Sequence, residues 1–514
     1  MAQSVQAANT EISARPALQP VDVCLIVEGA YPYVSGGLST WIDHLIRRQP
    51  KLTFAVVAIL AKALPVEEKF SCPPNRKALH HLYLGELPDR KRWPAIWSTD
   101  SSKLFAALDQ FFENGGLSAF AEVERLLAPF VSAGRSRDLL NSSLAWKMVR
   151  DLYSRTMSHE SFLHFFWAWR TVFSGMVATL SCPLPPARVY HTVSTGYAGL
   201  LAARATSETG RPALITEHGI YTNERRIEIL QADWIVDTLD RGFLVQDSRR
   251  DLRDFWTMTF ESYARTCYDA CSEIITLNEA NQSAQISFGA QRARMRVVPN
   301  GVDYENLSRL PRPAPDQRPT IALVGRVVPI KDIMTFLQAV DLLRRRVPDL
   351  RALVLGSTDE QPDYFGACTA AVAELGLSQH VTFTGSVKVT DYFPSIHVNV
   401  LTSVSESQPM SILEAGAAGI PTVSTDVGGC REILKGRHDE NPALGDGGIL
   451  TDIVSPEQTA NALASLLSDP ERRESMGRTM QQRIKRYYDL SMVDQAYSEI
   501  YQRYLDLPSK LARS

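Results

Sequence analysis

What most constrains this chain is a repeated pattern. A short, continuous apolar run of strand length is followed by a loop and then by a helical stretch. Val21-Asp-Val-Cys-Leu-Ile-Val27 opens the series, and a glycine-bearing loop follows it. A run that is apolar at successive positions suits a strand covered on both faces, as in a parallel sheet. Further candidate strands lie at 54–60, 188–191, 213–217, 273–276 and 296–298. After a second start at Ile321 they recur at 321–324, 352–355, 381–383, 398–401, 421–424 and 448–450. Strands alternating with helices predict an α/β protein with doubly wound parallel sheets. Residues 61–180 break the rhythm and read as a mostly helical insertion rich in aromatic residues.

The expected organisation follows from these runs. A disordered tail covers 1–20, and a first Rossmann-like domain covers 21–307. A linker covers 308–319, a second Rossmann-like domain 320–490, and a C-terminal helix 491–514. The linker reading rests on four prolines in the ten residues 310–319, a semi-rigid composition. A chain of 514 residues is long enough for two or three domains, each able to bury a full core. Two such domains joined by a hinge predict a cleft at the carboxyl ends of their strands, where ligands of open α/β sheets bind.

Bulk properties exclude several classes. A net charge of −3 argues against a nucleic-acid surface. Seven scattered cysteines do not form a secreted disulfide pattern. Cys267 and Cys271 are one helical turn apart, but no second Cys or His pair lies nearby in sequence, so they read as core thiols. Residues 162–180 are long and apolar, yet His164 and Arg170 interrupt them. A central arginine costs about 3 kcal/mol on membrane insertion, so a buried helix is the better reading. Residues 1–20 hold no apolar segment of signal-peptide length, and the expected location is cytoplasmic.

The chemistry concentrates in Glu406-Ser-Gln-Pro-Met-Ser-Ile-Leu-Glu414. A buried strand precedes it and a helix closing on glycine follows. Pro409 suits the first helical turn, where its missing N–H costs nothing. The free amides of that turn, at the positive end of the helix dipole, suit a diphosphate. One carboxylate can then reach a ribose diol and the other a second polyol. Upstream, the strand at 321–324 runs into Gly325, Arg326 and Lys331, a strand–glycine–cation order that suits phosphate. Gly36 and Gly37, before a helix starting near Leu38, offer a second place where backbone can approach a ligand. His218 follows a strand in an unusually polar setting that includes Glu217, Tyr221, Glu224 and Arg225. The chain holds no Asp-x-Asp triplet, the usual metal signature of the other common sugar-transferase fold.

Together, Gly325-Arg326, Lys331 and Glu406-x7-Glu414 resemble the donor-site signature of retaining GT-B glycosyltransferases of the GT4 type. Three N-terminal segments narrow the likeness: Glu28-Gly-Ala-Tyr-Pro-Tyr-Val-Ser-Gly36-Gly37-Leu-Ser-Thr-Trp41, His191-Thr-Val-Ser-Thr-Gly-Tyr-Ala-Gly199 and Thr216-Glu-His218-Gly-Ile-Tyr-Thr-Asn-Glu-Arg225. These resemble the Pel exopolysaccharide glycosyltransferases, over roughly 21–488. The resemblance implies a GT-B fold, with two Rossmann-like domains facing a cleft and a C-terminal helix crossing back to the first. It implies His218, Arg326, Lys331 and Glu406 as catalytic residues. It implies Gly36, Gly37, Gly325, Arg326, Lys331, Val387, Glu406, Met410, Ser411, Ile412 and Glu414 as donor- and nucleotide-binding residues. Within that set, Arg326 and Lys331 bind the diphosphate and stabilise the departing charge. Glu414 takes the ribose hydroxyls, Glu406 the transferred sugar, and His218 positions that sugar. Val387, in Gly385-Ser-Val387-Lys388, lies beside the base. One segment departs from the pattern: Leu277-Asn278-Glu279-Ala-Asn281-Gln282, where relatives carry an aromatic residue and an arginine at 278 and 282.

The implied activity is retaining transfer from a UDP-sugar, a hexose or an N-acetylhexosamine, to a glycan acceptor, building a Pel-type exopolysaccharide for export and biofilm matrix. A front-side path and a double displacement both stay open, with Glu406 and Glu217 as nucleophile candidates in the second. No cofactor and no metal are expected, the UDP-sugar being a substrate. Implied partners are proteins of an inner-membrane Pel export complex, with recruitment to the inner face of the cytoplasmic membrane, and no nucleic acid. Two other readings remain: a glycogen- or starch-synthase-like glucosyltransferase, and a catalytically silent nucleotide-binding scaffold of a secretion complex.

Overall fold

A computed structural model describes residues 20–29, 31–34, 36–62, 67–87, 101–134, 136–230, 251–314 and 317–507. The tail read at 1–20 falls outside these except for Pro20, as do residues 315–316 of the linker and those beyond 507. The chain divides into two compact units. The first takes the described residues up to Ile275, Gln285–Arg296 and those from Ser498 onward; the second takes Thr276–Ala284 and Val297–Tyr497.

The first unit is built on β1 (Val21–Glu28), β2 (Phe54–Leu60), β3 (Arg76–Tyr83), β4 (Ala187–Thr192), β5 (Ala213–Glu217), β6 (Cys271–Thr276) and β7 (Met295–Val297). Their order in the sheet is β3-β2-β1-β4-β5-β6-β7. β1 pairs in parallel with both β2 and β4. The continuous apolar run 23–27 is fully buried, because helices cover both faces of a parallel sheet. The chain winds outward from β1 to β3, then returns to β4 on the other side of β1. The switch point therefore lies between the carboxyl ends of β1 and β4, at Glu28 and Thr192.

The segment 61–180 is mostly helical, as its sequence suggests, but β3 also lies within it and extends the sheet beside β2. Its sequence, Arg-Lys-Ala-Leu-His-His-Leu-Tyr, lacks the continuous apolar run because an edge strand keeps one side in contact with water. The helical layer follows from 101 to 181. Helix Phe162–Ser181 buries Phe165, Trp169, Val172, Phe173, Met176 and Leu180 along one stripe. Arg170 does not sit in a hydrocarbon environment; it donates to the Leu140 carbonyl at 3.2 Å and to Asn141 at 3.0 Å. Among the described residues no helix is long and apolar enough to cross a membrane. Cys267 and Cys271 are buried free thiols with sulfurs 3.9 Å apart.

The second unit is built on β8 (Thr320–Val324), β9 (Arg351–Leu355), β10 (Val381–Phe383), β11 (Val398–Leu401), β12 (Thr422–Thr425) and β13 (Gly448–Thr451). Their order, β10-β9-β8-β11-β12-β13, again starts at the centre, winds to one edge and returns to the other side. Its pairings are parallel, with Val398 opposite Ile321 and Ile321 opposite Ala352. The switch point lies between the carboxyl ends of β8 and β11, at Val324 and Leu401. Residues 297–307, read from sequence as the end of the first domain, belong to this unit, as does the detached piece Thr276–Ala284. Val302 explains the first assignment: its amide donates to the Tyr488 carbonyl and its carbonyl accepts from the Leu490 amide. Helix Leu490–Leu505 is divided, and from Ser498 its residues pack with the first unit. There Tyr501 meets His191 at 2.7 Å and Arg503 pairs with Glu273 at 3.3 Å.

Candidate functional site

In the second unit the loops leaving β8 and β11 meet. After β8 come Gly325 and Arg326, then a single 3-10 turn, Pro329–Lys331. Asp332 adopts φ 45° and caps the next helix, Ile333–Arg344, through Thr335, which fixes the point where Lys331 leaves the backbone. After β11, Thr402 locks the two loops together, its hydroxyl donating to the carbonyls of Lys331 at 3.0 Å and Asp332 at 2.9 Å. Lys331 Nζ then pairs with Glu406 Oε1, and Ser403 Oγ donates to the same oxygen at 2.7 Å. Lys331 and Glu406 side chains are 19% and 13% exposed, so the pair is sheltered yet reachable. Gly356 permits this arrangement, since a Cβ there would lie 2.1 Å from the Gly325 carbonyl oxygen. Arg326 is not part of the cluster; its exposed guanidinium pairs with Glu360.

Helix Met410–Ala417 follows the Glu406 loop. Pro409 sits at its N-cap with ψ 116°, one position earlier than the sequence suggested, so Met410 opens the first turn. The amides of Met410 and Ser411 have no acceptor within the helix. The Ile412 amide does not join them, because it already donates to the Pro409 carbonyl at 3.2 Å, and the residue is fully buried. Glu414 lies one turn in. Its half-buried carboxyl has no hydrogen-bond partner among the described residues, and burial pushes its pKa up to about 7. Val387 packs its side chain on the core cluster below β9 and β11, after Gly385 with φ 68°.

Sequence reasoning missed the supports of this loop. Gly428, with φ 51°, presses on it so closely that a Cβ would lie 1.9 Å from the Glu406 carbonyl oxygen. The Gly429 amide donates to the Ser407 carbonyl at 2.7 Å. The paired glycines two residues after β12 were the available signal. Ser403 and Thr402 carry no such signal, being two hydroxyls among many.

In the first unit, Gly36 caps the helix Gly37–Arg48, and open space surrounds the Cβ positions of both glycines. His218 stands beside Trp41, with ring centroids 4.5 Å apart in an edge contact. Its Nε2 is buried without a hydrogen-bond partner among the described residues, and burial lowers its pKa to about 4, so the ring is neutral near pH 7. Behind it, fully buried His191 bridges Tyr501 and Thr216 at 2.7 and 2.9 Å. Glu217 points elsewhere: it accepts from Tyr268 at 2.5 Å and Gln285 at 2.7 Å, and its pKa is pushed up to about 7 by burial. At the switch point, Glu28 accepts from Tyr221 at 2.8 Å, Ser194 at 3.4 Å and the Ala198 amide at 3.3 Å. No group of three or more His, Cys, Asp or Glu suited to a metal occurs among the described residues.

Comparison with known proteins decides the family. Residues 21–293 match the family described as "Domain of unknown function (DUF3492)", over more than half of the chain. The chain belongs to the DUF3492 family. Residues 307–483 match the model of glycosyl transferases group 1, so the second unit carries that domain behind the DUF3492 part. A D-inositol 3-phosphate glycosyltransferase of Paenarthrobacter aurescens is 32% identical over 225 residues, covering 41% of this chain and 52% of that protein. A GDP-mannose-dependent α-(1-6)-phosphatidylinositol monomannoside mannosyltransferase of Mycobacterium tuberculosis is 27% identical, covering 43% and 60%. The chain thus spans about half the length of these relatives. Among solved structures, the sucrose-phosphate synthase of Thermosynechococcus elongatus aligns with TM-score 0.57 at 15% identity, covering 94% of this chain and 98% of that one. HepE of Anabaena, in complex with UDP, aligns with TM-score 0.56 at 14% identity, covering 94% and 100%. These likenesses establish the fold: two parallel Rossmann-like sheets of the GT-B type. The DUF3492 match runs past Ile275, so Thr276–Ala284 is DUF3492 sequence that belongs structurally to the second unit.

Proposed function

We propose that the protein is a retaining glycosyltransferase that uses a UDP-sugar, a hexose or an N-acetylhexosamine, to extend a Pel-type exopolysaccharide. The observation that carries the reading is the switch point of the second unit. A sheltered Lys331–Glu406 pair, two free first-turn amides and an unpartnered carboxyl on one helix match the parts of a sugar nucleotide. Lys331, with Arg326 released from its surface pair, binds the diphosphate and stabilises charge on the departing phosphate. The amides of Met410 and Ser411 add donors at a helix N-terminus. Glu414 accepts the ribose hydroxyls, Glu406 accepts hydroxyls of the transferred sugar, and neutral His218 with Trp41 positions that sugar. UDP as the nucleotide is supported by the HepE complex, and the mannosyltransferase relative makes GDP the competing choice. The Pel assignment rests on the N-terminal segments around Tyr31, His191 and His218. Two cations and a helix terminus supply the positive charge in this reading, with no metal required.

Thermal melting against UDP, GDP, ADP and their sugar conjugates tests it. Saturation at about 100 times the dissociation constant adds about 2.7 kcal/mol, a clear shift. A shift with UDP compounds, followed by sugar transfer that survives EDTA, is the expected result. A shift with GDP compounds alone replaces the donor, and no shift with any nucleotide overturns the reading.

A further inference from the structure

The departure at Leu277-Asn278-Glu279-Ala-Asn281 has a structural counterpart. These residues follow β6 within the DUF3492 match, yet they pack with the second unit. Asn278 is fully buried. Its Nδ2 donates to the Ser407 carbonyl at 2.9 Å, and its Oδ1 accepts from the Asn281 amide at 3.0 Å. Asn281 Nδ2 donates to Ser407 Oγ at 3.1 Å. Gln408 returns the contact, donating to the Leu277 carbonyl at 3.2 Å and accepting from the Asn300 amide at 2.5 Å. With the Gly429 amide, the Ser407 carbonyl has two donors, one for each lone pair. Apart from local bonds such as Asn281–Asn278 and the contacts of Glu279 with Glu432 and His438, the bonds of this segment end on the two residues directly after Glu406, and none uses the Glu406 carboxylate.

We propose that this segment is a clamp that positions Glu406, and that Asn278 and Asn281 are positioning residues for sugar transfer. The proposal rests on the transferase reading for its catalytic half only. A buried amide that uses both ends holds a loop tightly, since breaking either end strands a polar group away from water. At 278, the first position of the departure, this chain holds a short amide bound to main chain at both ends. The clamp fixes where the Glu406 backbone stands, and Lys331 with Ser403 fixes where its carboxylate points. A shift of about 1 Å at such a group costs on the order of a hundredfold in rate. Nucleotide affinity should be spared, because Met410, Ser411 and Glu414 sit on a helix and not on the clamped loop.

The test uses the full chain with Asn278→Asp, Asn278→Ala and Asn281→Ala. Asn278→Asp keeps the acceptor toward Asn281 and replaces the donor toward Ser407 with a carboxylate. Amide hydrogen exchange over 404–409 is measured together with kcat, KM and UDP affinity. The expected result is faster exchange confined to that loop, kcat lowered about thirtyfold, and UDP affinity within threefold of wild type. In a Glu406→Gln background the same substitutions add less than twofold, because nothing remains to be positioned. Unchanged exchange in Asn278→Asp and Asn281→Ala overturns the clamp whatever the activity. Faster exchange with unchanged kcat and KM overturns the positioning role. A wild-type protein inactive with every nucleotide sugar sinks the transferase reading, while the exchange data still decide the clamp.

Discussion

The two units share a winding order but equip its crevice differently. Both start at a central strand, build to one edge and return to the other side. In the first unit, the carboxylate at the switch point, Glu28, accepts from two hydroxyls and an amide. In the second, Glu406 faces a lysine and a serine. The first crevice holds neutral donors and neutral histidines, which suit hydroxyl-rich ligands. The second holds a sheltered cation beside free first-turn amides, which suits a diphosphate. Topology sets where a ligand can bind, and a few side chains at the strand ends set which.

The largest expected effect breaks this comparison at its sharpest point. Lys331→Ala should lower kcat/KM for a nucleotide sugar about a thousandfold, the scale of a lost charge-stabilising donor. Glu28→Gln should leave UDP affinity within twofold. Equal losses of UDP affinity in both variants would mean that the crevices do not divide the work. Next, His218→Ala should lower kcat about a hundredfold through misplacement of the sugar, with UDP affinity unchanged in calorimetry.

Glu414 gives a smaller, pH-dependent effect. Its pKa is raised to about 7 by burial, so folding favours the protonated form. The carboxyl then destabilises the fold progressively as pH rises from the ordinary carboxylate range through 7. Glu414→Gln should therefore melt a few degrees higher than wild type at pH 8 and equally at pH 4.5. It should also lose about tenfold in UDP affinity, the cost of hydrogen bonds to a charged acceptor. Wild-type UDP affinity should rise from pH 6 to pH 8 as the carboxylate forms. No pH dependence in either measurement would place Glu414 outside the nucleotide site. The smallest effect belongs to His191, which supports the first crevice from below. His191→Phe removes the hydrogen bonds to the Tyr501 and Thr216 hydroxyls and should cost about 1–3 kcal/mol. That is seen as a lower melting temperature with UDP affinity unchanged.

The strands were legible because parallel strands buried on both faces leave continuous apolar runs, as in 21–27 and 398–401. β3 was not, since a sheet edge needs no such run. The placing of Gly325, Lys331 and Glu406 on loops after strands, and of Glu414 one turn into a helix, was legible because their spacing follows from strand–loop–helix geometry. The Ile412 amide was misread, because whether a first-turn N–H stays free depends on how tightly that turn closes on Pro409.

The sequence by itself determined the fold class and the place of the charged loop, both of which depend on residues near one another in the chain. Only the tertiary structure decided that Arg326 turns away to Glu360 while Lys331 turns in to Glu406. Only it placed Thr276–Ala284 with the second unit, where Asn278 holds Ser407 from 129 positions away. Such hydrogen bonds leave no periodicity in sequence, because they depend on where two distant loops stop in space.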